Sequence, residues 1–128
     1  MNNTLLNTTI VMMAKITKIP LDAVWLGMAF STDKVMGDDN AYICRRTSYY
    51  TTNTIKNYYN NPYPSLIGDG SIGITNTSIT TSDSYLICSF TRENYNRTTE
   101  TYFDTKNSQF YILFAYGPIV RSKNNLFN

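Results

Sequence analysis

Histidine is missing from this chain of 128 residues. That absence removes several chemistries at once: a serine–histidine pair, a histidine general base and a histidine-based zinc site. Cysteine is scarce. Cys44 and Cys88 are the only two, too widely spaced to make a structural zinc site. They fit either one disulfide formed in an oxidising compartment or two buried free thiols. As a disulfide they would contribute roughly 4 kcal/mol in the chain-entropy account. Charge is thin as well, with 16% charged residues and a formal net charge of +2. The nearest thing to a basic patch, Arg45-Arg46, is too small to follow a phosphate backbone, so no nucleic-acid partner is expected. The N-terminal stretch MNNTLLNTTIVMMAK lacks the basic start and clean apolar block of a secretory leader, and its apolar run IVMMA is far too short to span a bilayer. An extracellular protein with this sequence is therefore expected to be a piece of a longer chain, or to have its leader missing.

Helical periodicity is absent over any useful length, and what the chain does hold favours strands. It is rich in Thr and Tyr, which suit strands, and in Asn and Ser, which suit turns. Apolar segments at residues 9–16 (TIVMMAKI), 23–30 (AVWLGMAF), 40–44, 84–91 (SYLICSFT) and 109–116 (QFYILFAY) read as strands. Shorter candidates fall at 54–58, 66–67 and 98–103. Strands at this spacing, parted by turn signals such as NNPYP and GDGSIG, predict an all-β sandwich of two mainly antiparallel sheets in a single domain over residues 1–128. An immunoglobulin arrangement fails on order, because its Trp lies between the two cysteines and Trp25 precedes both. The segments AVWLGMAF and FYILFAY are apolar on both faces. Something must cover the second face of each: another sheet, a loop, a partner domain or a flat apolar ligand. Gly27 removes a side chain in mid-strand and permits close approach of another group.

Several features invite chemistry. Met36 sits in a polar loop (STDKVMGDD), either packed beneath it or offering its sulfur. Asp38 and Asp39 are adjacent and would face opposite ways on a strand. One is expected to cap the Met loop and the other to meet water. Arg92 follows an apolar run; if buried it needs a partner, and Asp38 or Asp39 is the expected one. The GDGSIG segment, residues 68–73, is followed by neither a lysine nor a helix start and reads as a turn rather than a phosphate loop. Tyr49, Tyr50, Tyr58, Tyr59 and Tyr63 form either a sugar- or partner-binding platform or simply a Tyr-rich surface. Sequons for N-glycosylation stand at Asn2, Asn7, Asn76 and Asn96, in a chain where such triplets also arise by chance.

Three segments, AVWLGMAFSTDKVMGDDNAYIC, SYLICSFTRE and QFYILFAYGP, taken in that order, resemble DOMON domains. The likeness runs from about Ala23 to Pro118. The two acids after Met-Gly and the cysteines of ICRR and ICSF look most like the extracellular DOMON domain of the ferric-chelate reductase 1 (stromal-cell-derived receptor 2) group. The resemblance implies a β-sandwich at the cell surface, within a membrane protein that also carries a cytochrome b domain, or else secreted. It implies haem b or a carbohydrate as ligand. Met36 matches the family's axial methionine, a soft neutral ligand that favours reduced iron. Trp25, Gly27, Phe114 and Tyr116 would wall the pocket. The family's axial His has no counterpart here. The text after the last strand, PIVRSKNNLFN, ends without one: either the chain is cut just short of its His, with haem b then held by the full-length protein, or this member has lost six-coordinate haem binding, and in both cases no haem is expected to be held by this chain alone. Nor is catalysis expected from the domain by itself, although it would suit a ferric reductase-type oxidoreductase.

Overall fold

The computed structural model describes residues 6–34, 37–47, 53–61, 63–96, 101–106 and 108–119. Within them eight strands form: β1 (Asn7–Lys15), β2 (Ala23–Ser31), β3 (Asp39–Thr47), β4 (Thr54–Asn60), β5 (Pro64–Leu66), β6 (Ile74–Ser82), β7 (Tyr85–Glu93) and β8 (Tyr111–Pro118). They assemble into a three-stranded sheet, β1-β7-β6, and a five-stranded sheet, β5-β4-β3-β2-β8, antiparallel throughout. This is the all-β sandwich the sequence pattern predicts.

Alternation decides which residues enter the interior. Leu86, Cys88, Phe90 and Arg92 of β7 point inward, as do Val24, Leu26 and Met28 of β2 and Tyr42 and Cys44 of β3; all are buried. Tyr42 and Phe90 stack face to face across the two sheets, with ring centroids 4.9 Å apart. The disulfide Cys44–Cys88 joins β3 to β7 through the middle of this core. With β1 touching β2 and β6 touching β4, the smaller sheet covers β2, β3 and β4. It leaves β8, at the edge of the larger sheet, largely uncovered. Ile112, Phe114 and Tyr116, on the interior-facing side of β8, are consequently 50–56% exposed.

Two features depart from the sequence reading. β6 (ITNTSITTS) carries almost no apolar residue, and its burial pattern is nearly all exposed. It is a strand because β7 pairs with it through a tight two-residue turn, in which Asp83 and Ser84 both take positive φ. The candidate strand at 98–103 does not form in its described part. Thr101 and Tyr102 lie in a turn, and the Tyr102 hydroxyl donates to the Glu93 carbonyl at 2.5 Å. Residues 98–100 lie outside the described residues.

Candidate functional site

The outer face of the five-stranded sheet carries a trough of about 400 Å³. Its floor follows from four small residues brought side by side by strand register. Gly27 pairs with Ala115 on β8, and Ala29 pairs with Ala41 on β3. Around that floor stand Trp25, Ile43, Leu113 and Tyr58, with Arg45 at one end and Asn60 at the other. The surface is mostly hydrocarbon and aromatic, with polar groups at the ends, as ligand sites commonly are. A Cβ added to Gly27 would meet Tyr42 O, Ile43 Cγ1 and Trp25 Cζ3 at 3.5–3.6 Å, ordinary contacts. The glycine is therefore not required by crowding; it deepens the floor.

Trp25 is placed by a second glycine. Gly117 is its cross-strand partner. A Cβ there would lie 2.8 Å from Trp25 Nε1 and 3.0 Å from Cε2 and Cζ2. The indole thus covers the bare backbone at Gly117, and that edge glycine lets it lie low against the sheet.

The other end of the trough is organised by Asp39 and Asn60, cross-strand partners. Asp39 is fully buried, and its Oδ2 accepts the Gly37 N–H at 2.8 Å. Asp38 is exposed and accepts the Tyr59 hydroxyl at 3.2 Å, while its own N–H donates to the Asn60 carbonyl. These bonds hold the C-terminal side of the Met loop over β4. On its N-terminal side, Lys34 Nζ rests 4.9 Å from the centre of the Tyr111 ring on β8. Met36 itself lies outside the described residues, as do Tyr49 and Tyr50. Asp39 Oδ1 and Asn60 Oδ1 are both buried without a hydrogen-bond partner among the described residues.

Arg92 is fully buried on the opposite, interior face. Its guanidinium donates to Tyr42 Oη, Thr105 Oγ1, Asn40 Oδ1 and the carbonyls of Asn94 and Phe103. It also lies 4.4 Å from the Tyr102 ring centre, 4.8 Å from that of Phe30 and 5.5 Å from that of Tyr42. None of these acceptors is a carboxylate, so the expected pairing with Asp38 or Asp39 is replaced. The reason is alternation: Asn40 points inward toward Arg92, which turns Asp39 to the outer face. Oriented neutral acceptors and three aromatic faces compensate the charge instead. Through Asn40, which also donates to Asn57 Oδ1 at 2.6 Å, the network fixes the start of β3 and with it Asp39. Burial raises the pKa of Tyr42 above the usual tyrosine value of 10.0, against the lowering effect of the Arg92 charge.

The site residues expected from sequence therefore divide. Trp25 and Gly27 line the trough, and Phe114 borders it. The Phe114 and Tyr116 side chains share the face of their register partners Met28 and Leu26, opposite the floor. The sequence reading did not single out Ala29, Ala41, Ala115 or Asn60. Only the register aligns them, although alternate small residues in GMA and FAYG were a signal. Among the described residues no group of three or more His, Cys, Asp or Glu side chains is placed to hold a metal, and no helix is long and apolar enough to cross a membrane.

The strand order and register together define a β-sandwich domain of two antiparallel sheets. The model of the DOMON domain family matches residues 4–117, and the chain belongs to that family. No curated protein and no solved structure shows a significant match.

Proposed function

We propose that this DOMON domain is a ligand-binding module at the extracellular side of a ferric-chelate reductase-like membrane protein, and that the trough receives a flat, largely apolar ligand with polar groups at its edge. The floor of Gly27, Ala29, Ala41 and Ala115 carries this reading. Four adjacent small residues on the outer face of a sheet leave a planar surface that a ring system can cover. Arg45, and Lys34 on the neighbouring loop, supply cationic groups at its margins.

Haem b is the ligand that the likeness to ferric-chelate reductases suggests. The trough suits the face of such a ring, but the donor set does not suit iron held between Met and His. The chain has no histidine, and both cysteines are spent in the disulfide. Only Met36 remains of the family's pair, and no electron-transfer step follows from these residues. What the chain does is bind and orient: small residues admit the ring, Trp25 flanks it, and the bonds of Asp38 and Asp39 hold one end of the Met loop.

A carbohydrate is the second reading, favoured by the low-lying indole of Trp25, an apolar platform of the kind a sugar ring stacks on. Trp25 is the only tryptophan, so its fluorescence reports directly on the trough. Titration with haemin is expected to quench it saturably, without the Soret band of low-spin six-coordinate haem. Gly27→Val, which raises the floor, is expected to abolish the response. A response to neutral oligosaccharides alone would select the second reading. Strong six-coordinate haem, or no response that Gly27→Val removes, would defeat the proposal.

A further inference from the structure

We propose that Asn76 is an N-glycosylation site and that the three-stranded sheet is the glycan-bearing side of the domain, leaving the trough side bare. The argument does not depend on which ligand the trough takes. It begins with Cys44–Cys88, a disulfide through the core. Such a bond belongs to a chain that matures in an oxidising compartment, where sequons meet the glycosylation machinery.

Among the sequons whose asparagine is described, Asn76-Thr77-Ser78 is the one the fold presents most openly. β6 pairs with β7 at Thr75 and again at Ser78, and the register shifts between them, so Asn76 and Thr77 bulge out of the ladder. Asn76 has φ +54°, a conformation asparagine tolerates better than most residues. It is exposed, on an edge strand, with no hydrogen-bond partner for its side chain among the described residues. The other sequons whose asparagine is described, at Asn7 and Asn96, are more constrained. Asn96 Nδ2 donates to Glu93 Oε2 at 2.8 Å. Asn7 lies in the β1–β7 ladder, and the Thr9 hydroxyl of its sequon pairs with that of Thr91 at 3.3 Å.

The distribution adds a second observation. Asn7 is on β1, Asn76 on β6, and Asn96 follows the end of β7, all on the three-stranded sheet or its margin. No sequon falls on β2, β3, β4, β5 or β8, the strands that carry the trough. A bulky, hydrated glycan on β6 therefore projects from the sheet opposite the one that binds ligand.

The donor is a lipid-linked oligosaccharide diphosphate. The bond from its anomeric carbon to the diphosphate oxygen breaks, and a bond to Asn76 Nδ2 forms. The amide loses one proton, and the lipid diphosphate leaves with the electron pair.

The test is secretion of the full chain from eukaryotic cells behind a cleavable leader, followed by peptide mass spectrometry after enzymatic deglycosylation in heavy-oxygen water. Asn76 is expected to be occupied in most molecules. Asn76→Gln and Ser78→Ala should each remove one glycan and leave the disulfide and the circular dichroism spectrum unchanged. Recovery of the Asn76 peptide unmodified from secreted, disulfide-bonded protein would overturn the site. Glycan removal that altered Trp25 fluorescence would overturn the assignment of sides.

Discussion

Replacing Gly117 by Ala tests how the trough is built. The new methyl would come within 2.8 Å of Trp25 Nε1 and 3.0 Å of two further indole carbons, so the ring must lift. Overpacking of this kind costs ~1–3 kcal/mol. Part of that is returned, because losing a glycine reduces the entropy of the unfolded chain by ~0.4–1 kcal/mol. The expected net loss is about 1.5 kcal/mol, or a fall of roughly 4–8 °C in Tm for a chain of this size. Thermal unfolding followed at the emission of the sole tryptophan measures both effects, since a lifted indole should also emit to the red. The decisive comparison places the same change in a Trp25→Leu background. There the obstacle is gone, and Gly117→Ala should become neutral or stabilising by up to ~1 kcal/mol. Equal destabilisation in both backgrounds would refute the claim that Gly117 exists to seat Trp25.

Other expectations follow from the interior. Arg92→Lys keeps the charge but loses the planar fork, leaving several buried acceptors unfilled. A loss of about 2–4 kcal/mol in chemical denaturation is expected, and a change within ~0.5 kcal/mol would show that the network does not depend on geometry. Removing the disulfide as Cys44→Ala with Cys88→Ala frees a loop with a sequence separation of 44. The chain-entropy relation gives about 4 kcal/mol for it; a Tm unchanged in the double variant would contradict that figure. Burial raises the pKa of both Tyr42 and Tyr102 above the ordinary 10.0. A raised folded-state pKa means stability fully present below pH 10.0 and lost as pH climbs beyond it. Scans from about pH 8 to 11.5 should show Tm falling at the alkaline end, with two tyrosines ionising only on unfolding. Single-step ionisation of all eleven tyrosines with a flat Tm would contradict this.

The strands that bury side chains were the ones visible in the sequence. AVWLGMAF, SYLICSFT and QFYILFAY announce β2, β7 and β8 because they fill the core or floor the trough, and their observed ends lie within two residues of the expected ones. β6 stayed hidden because only Ile74 and Ile79 of its nine residues turn apolar side chains to the core. Its turn residues, Asp83 and Ser84, lack the glycine that usually marks a tight hairpin. The trough was half legible. Trp25 and Gly27 stand out on one strand, but Ala41 and Ala115 acquire meaning only when register sets them beside Ala29 and Gly27. Tyr116 shares β8 with Ala115, yet the pleat turns it to the face opposite the trough floor. For Arg92, burial was readable from its position after an apolar run. Its partners were not, because the sequence does not show that Asn40 rather than Asp39 faces inward.

The bond between the third and seventh strands also bears on mechanical behaviour. Tension along the chain can draw out only the segments outside the covalent ring closed at Cys44 and Cys88. With a separation of 44 residues at about 3.4 Å each, roughly 150 Å of contour is withheld from extension until a reductant opens it. The tether from β3 to β7 would then outlast every other contact under load. Strands β4 and β5, which border the trough, lie wholly inside that ring, so that side of the trough would be the last region to be pulled straight.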